Sequence, residues 1–218
     1  MAFILNIETA TKNCSVCLAR KGEVSIVKEY AGEGYTHAEK LHLFISDALR
    51  EGGVTFNDLN AVAVSMGPGS YTGLRIGVSA AKGLCYALNI PLIAIDTLSL
   101  LSRQVSAQNG FILPMIDARR MEVYSAIFDM EYAKIRETRA EIISEESFAD
   151  ISGPVHLLGD GADKCRGVLT GDKFIYHDIL YPSAKEMAPL SYDKYKISDT
   201  VDVAYFEPFY LKDFIAGK

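Results

Sequence analysis

The stretch SMGPGSYTGLRIG, residues 65–77, sets glycines and one proline between two apolar runs and follows them with Arg75. Two roles suit such a loop. It can cradle a phosphate with backbone N–H groups at a helix N-terminus, or it can be a tight elbow that holds no ligand. A P-loop carries a Lys directly after its second glycine, and none stands there. A dinucleotide fingerprint reads G-x-G-x-x-G, whereas Gly67, Gly69 and Gly73 read G-x-G-x-x-x-G. Pro68 has no N–H to donate. Arg75 leaves an anion contact open, but Gly67, Pro68 and Gly69 read best as a structural elbow.

Other chemistry-bearing residues are sparse. Cys14 and Cys17 have the spacing of half a zinc or redox motif. In the β-like run CSVCLA, residues three apart face opposite sides of a sheet, and no second pair completes a tetrahedral site. Small buried hydrophobes are expected. His37 and His42 are five apart, about 140° around a helix, and do not converge. No catalytic residue, metal site or cofactor is assigned.

A chain of 218 residues, 49% hydrophobic, can bury one large core or two small ones. The formal charge of -6 disfavours a stand-alone polyanion binder. No apolar stretch reaches the roughly 20 residues of a membrane span. FILNI near the start lacks the basic flank of a signal peptide, and the scattered cysteines suit a reducing compartment. A cytoplasmic protein is expected.

The elements around the loop follow from periodicity. FILNIET (3–9), CSVCLA (14–19) and EVSIVKEY (23–30) read as strands, the last two joined by a Lys21-Gly22 hairpin. Thr36-His-Ala-Glu39 has the form of a capping box. It opens a helix over 37–51 with an apolar stripe through Leu41, Phe44, Ile45, Ala48 and Leu49. NAVAVSM (60–66) is a strand, then the loop and a long helix, PLIAID (91–96) a strand and 97–108 a helix. FILPMID (111–117) echoes FILNIE and restarts the order. MEVYSAIFD (121–129), a third run over 132–142, a helix signal at 144–150 and VHLLGDGADK (155–164) follow. A duplicated unit of about 110 residues is implied, with a first half over 1–108, a looser second half over 109–218, and an unassigned aromatic-rich tail over 191–218.

The helix over 73–88 is apolar nearly all round, apart from a narrow stripe of Arg75, Ser79 and Lys82. Gly73, Gly77 and Ala81 form a small-residue ridge on it. Such a helix must be covered on more than one side. The cover is either the chain's own sheet and helices or a partner.

ETATKNCSVCL (8–18), MGPGSYTGLRIG (66–77) and PMIDARRMEVYSA (114–126), in that order, resemble the bacterial TsaB (YeaZ) family, whose older label is glycoprotease-like. The resemblance implies an α/β, duplicated actin-like ATPase (ASKHA, ribonuclease-H-like) fold of two βββαβα halves, the second degenerate. It implies a non-catalytic scaffold of the assembly that makes tRNA N6-threonylcarbamoyladenosine. The partners would be a TsaD-like transferase as heterodimer, a TsaE-like ATPase through the complex, and a second copy when alone, with tRNA reached only indirectly. The pairing helices would correspond to 37–51 and 73–88, and so to Leu41, Ile45, Gly73, Gly77, Ala80, Ala81 and Leu84. The alternative is an actin-like ATPase or kinase using Glu8, Asp117 and the Gly159–Gly161 loop. Such an enzyme carries a carboxylate-x-Gly turn after the first strand of each half. Here the turns are Glu8-Thr9-Ala10 and Asp117-Ala118-Arg119, without glycine.

Overall fold

The computed structural model describes residues 2–32 and 36–211, so the end of the aromatic-rich tail lies outside the described residues. The chain builds two five-stranded mixed sheets. The first is made by β1 (Phe3–Glu8), β2 (Asn13–Arg20), β3 (Glu23–Ala31), β4 (Leu59–Gly67) and β5 (Leu92–Asp96), with α1 (His37–Glu51) and α2 (Tyr71–Leu88) between strands and α3 (Thr97–Ser102) after them. Its order is β3-β2-β1-β4-β5. The first three strands are antiparallel, and β4 and β5 run parallel to β1. The second sheet holds β6 (Phe111–Asp117), β7 (Glu122–Phe128), β8 (Lys134–Ile142), β9 (Val155–Leu158) and β10 (Phe174–Tyr176), with α4 (Asp160–Lys164) after β9. Its order β8-β7-β6-β9-β10 repeats the first pattern strand for strand. The duplicated βββαβα order is therefore present, with the second copy's first helix missing.

Local chemistry explains most of these elements. β1 and β4 are near-continuous apolar runs, buried on both faces as parallel strands at the centre of a sheet are. Lys21 and Gly22 both take positive φ, 53° and 84°, the conformation of a two-residue hairpin turn. Cys14 and Cys17 are fully buried on β2, and burial pushes their thiols up to about 11 and about 12. One core joins Leu5, Ile7, Val16, Val62 and Val64 to Leu41 and Ile45 of α1 and Val78 and Ala81 of α2. In the second sheet Leu113, Met115, Val123 and Leu157 meet Ala162 and Cys165.

Several expectations are corrected. Thr36 does not cap α1: its φ of −102° and ψ of 12° lie outside the extended conformation of an N-cap, and its Oγ1 has no partner. The capping box forms instead at Thr55, whose N donates to Asp58 Oδ2 at 2.7 Å. The helix expected over 97–108 stops at Ser102, whose hydroxyl turns back to donate to Ser99 O at 2.8 Å. Residues 144–150 form turns rather than a helix, with Ser144 N donating to Ser147 Oγ at 2.9 Å and Phe148 at φ 63°.

The compact units also depart from a 108/109 boundary. One runs to Thr97 and takes in Ser183–Tyr210, and the other is Leu98–Pro182. The returning segment belongs to the first unit because α5 (Met187–Lys196) packs on β1, β2 and β5. Further along, Val201 bridges to Leu92, and Phe209 N donates to Met66 O at 2.7 Å.

The glycine-rich loop is an elbow with a defined seat. Ser70 N donates to Ala10 O at 2.7 Å, and Thr9 Oγ1 donates to Gly73 O at 2.8 Å. Ser70 Oγ caps α2 by accepting from Gly73 N at 3.3 Å. A Cβ on Gly69 would stand 2.4 Å from Ala10 O, one on Gly73 2.1 Å from Thr9 O, and one on Gly77 2.2 Å from Thr9 Oγ1. Glycine is needed because the β1 turn lies directly against α2. Gly83, on the same helix, has open space around its Cβ position. Gly73→Ala is expected to lower stability by about 2–3 kcal/mol through overpacking. Gly83→Ala should raise it by about 0.5–1 kcal/mol through helix propensity and unfolded-state entropy. Urea unfolding of both variants decides, and equal effects would contradict the seat.

Candidate functional site

The first carboxylate turn is closed. Glu8, Thr9 and Ala10 are fully buried. Glu8 Oε1 accepts from Ala10 N at 2.5 Å, while Glu8 Oε2 and the hydroxyl of Ser65 are buried without partners. Burial pushes the Glu8 carboxyl up to about 7, against the opposing pull of the Ala10 amide. With Ala10 O taken by Ser70 and Thr9 O against Gly73, no space for a phosphate remains between this turn and α2.

The second turn is braced. Asp117 accepts from Arg119 N at 2.7 Å and from Lys164 Nζ, and its own N donates to Asp160 Oδ1 at 2.9 Å. Gly159, at φ 99°, would place a Cβ 2.0 Å from Met115 O, and Gly161 would place one 2.8 Å from the carbonyl carbon of Ile116. These two glycines let the β9–α4 turn sit on β6. The structure thus brings Asp117, Gly159 and Gly161 together, but around a lysine and a second carboxylate rather than around free amides. Glu8 belongs to the other unit. Among the described residues no group of three or more His, Cys, Asp or Glu is arranged to hold a metal. His156 and His177, which no spacing singled out, meet at 2.9 Å, with His156 Nε2 donating to Asn109 O at 3.1 Å.

The open feature lies on α1 and α2. Of the seven residues expected at a partner interface, Leu41, Ile45, Gly73, Gly77 and Ala81 are buried in their own core. The small-residue ridge faces β1 and its turn, which is the correction the Gly73 and Gly77 contacts demand. Ala80 and Leu84 are half-buried and, with the edge of the buried Ile45, line a groove of about 750 Å³ that Ala38, His42, Phe56, Ile76 and Gly83 complete. Tyr86 follows Gly83 on α2 at 86% exposure. The groove is mainly apolar, with His42, Arg75 and Ser79 as polar members. The apolar stripe of 37–51 and the apolar run of 73–88 found the helices but not which side each presents.

Burial of Glu8 has a signed consequence. Its folded value of about 7 lies above the ordinary 4.5, so the native chain holds a proton that the unfolded chain releases. That contribution is complete below about pH 4.5 and is lost as pH rises through about 7. Stability relative to Glu8→Gln should fall by about 3 kcal/mol between about pH 5 and pH 8. The comparison with Gln separates this trend from His37 and His177, whose pKa values burial lowers. Urea titrations across that range check it, and a flat difference would contradict a protonated Glu8.

Comparison with known proteins bears on the same elements. The family model described as TsaD, tRNA N6-adenosine threonylcarbamoyltransferase, matches residues 29–166. The tRNA threonylcarbamoyladenosine biosynthesis protein TsaB of Escherichia coli is 32% identical over 99% of this chain and 96% of that protein. YeaZ from Pseudomonas aeruginosa shares the fold with a TM-score of 0.85 at 24% identity, covering 97% of this chain and all of that one. The activator of the 2-hydroxyisocaproyl-CoA dehydratase from Clostridium difficile, solved with ADPNP, superposes with a TM-score of 0.50 at 12% identity over 91% of this chain and 96% of that one. The two repeated sheets are those of the actin-like fold. With near full-length identity above 30% to an established member, the chain belongs to the TsaB (YeaZ) family.

Proposed function

We propose that this chain is a non-catalytic scaffold subunit in tRNA N6-threonylcarbamoyladenosine formation, docking on a TsaD-like transferase through the groove between α1 and α2. The observation that carries this reading is the open apolar groove on two helices whose inner sides are already packed. The closed Glu8 turn and the braced Asp117 turn support a role without nucleotide chemistry. The name of the Escherichia coli relative supports the pathway.

In this reading the two helices also pair with a second copy when no transferase is present. A TsaE-like ATPase joins through the complex. The charge of -6 leaves tRNA to the partner. The work is done in the cytoplasm, in keeping with the lack, among the described residues, of a helix long and apolar enough to cross a membrane.

Gly83→Arg adds a side chain where nothing lies within 4 Å of the Cβ position, so the variant should fold. Calorimetric titration with the TsaD-like protein of the same organism should show a complex for wild type and at least a tenfold loss, about 1.4 kcal/mol, for the variant. Equal affinities would place the interface elsewhere. The isolated chain should release no phosphate from magnesium-ATP, and turnover abolished by Asp117→Ala would make it an enzyme.

A further inference from the structure

Resting on the docking reading above, we propose that the Arg75 end of the groove recognises a carboxylate, taking one acidic side chain of the TsaD-like partner. The charges on α2 are Arg75 and Lys82, both cations, in a chain of net charge -6. They serve different ends. Lys82 Nζ donates to Ala204 O and to Phe206 O, each at 3.0 Å, and so pins the returning segment beside α2. Arg75 is exposed, with its guanidinium carbon 4.6 Å from the centroid of the Tyr71 ring. Tyr71 in turn lies 5.1 Å, ring to ring, from Tyr210. The guanidinium is thus placed by the Tyr71 ring and a side-chain hydrogen bond with Tyr210, and among the described residues no Asp or Glu forms an ion pair with it.

Position decides what Arg75 can meet. With Ser79 it lines both the apolar groove and an adjoining cavity of about 330 Å³, walled opposite by Phe206 and Tyr210. A partner seated in the groove removes water from around Arg75. There an unmatched guanidinium is costly, while a carboxylate can accept two parallel N–H bonds from its planar fork. The groove lining contains no Asp or Glu. A second copy laid groove to groove therefore brings no acidic partner from that lining, whereas a different protein can bring one. Arg75 then favours the transferase over self-association. A free phosphate suits the cavity less well, because it carries more charge than one guanidinium matches and Lys82, the second cation on the wall, is already engaged by two carbonyls.

The test compares wild type, Arg75→Met and Arg75→Lys, with circular dichroism confirming that these exposed-site variants fold. Affinity for the TsaD-like protein of the same organism is measured by calorimetry at about 0.05 M and 0.5 M NaCl, where screening differs strongly. Arg75→Met should bind about tenfold more weakly at low salt and lose most of the salt dependence, as removal of one member of an interface charge pair does. Arg75→Lys should regain the salt dependence and part of the affinity, while self-association of Arg75→Met by sedimentation should be at least as strong as that of wild type, because the unmatched guanidinium is gone. Wild-type affinity and salt dependence in Arg75→Met would overturn the proposal while leaving the docking reading intact. Loss of self-association in that variant would assign the contact to a second copy, again overturning it. Saturable binding of inorganic phosphate by the isolated chain, abolished by Arg75→Met, would reassign the cavity to a free anion. Absence of any wild-type complex would overturn the docking reading and this proposal together.

Discussion

The contact between the backbone of Thr9–Ala10 and the glycine side of α2 organises the first unit. Gly69, Gly73 and Gly77 present no side chain where Ala10 O, Thr9 O and Thr9 Oγ1 come within 2.4, 2.1 and 2.2 Å of the positions their Cβ atoms would take, well inside van der Waals contact. Ser70 N and Thr9 Oγ1 then tie the two segments by hydrogen bonds. The result is a helix pressed onto the turn that follows β1, at a distance no larger residue allows.

Two consequences follow from that one approach. The turn that would meet a phosphate in a nucleotide-binding actin-like protein is sealed, and Glu8 is left inside with its charge suppressed by burial. The opposite side of α2 is fixed in place as a rigid surface beside α1, where Ile76, Ala80 and Leu84 line an apolar groove. Apolar surface kept open on a rigid pair of helices is the kind of feature that protein interfaces use. The same packing that fills the β1 turn thus also sets the side of α2 that lines the groove.

The order of elements along the chain was legible in the sequence because it rests on local patterns. The echo of FILNIE in FILPMID, the Lys21-Gly22 turn and the apolar run of β4 all announced themselves. The family motifs were equally plain. What stayed hidden depended on distant partners. Thr36 and Glu39 have the residue types of a capping box, but Thr36 stands in the wrong backbone conformation to cap. The small-residue ridge of α2 signalled a close approach without naming its object. A turn of the same chain and a helix of another protein ask for the same glycines, and only the fold shows the turn there. The return of Ser183–Tyr210 to the first unit rests on α5 packing and a bridge to Leu92, which no local periodicity encodes. The value of Arg75 likewise emerged only when Tyr71 and Tyr210 were seen beside it.

The most direct measurement is amide hydrogen exchange of this chain alone and mixed with the TsaD-like protein of the same organism. Slowed exchange confined to Ala38–Ser46 of α1 and Arg75–Tyr86 of α2 is the expected result. Unchanged exchange along both helices, with protection instead at Asp117–Arg120 and Gly159–Gly161, would contradict a scaffold that docks through its groove.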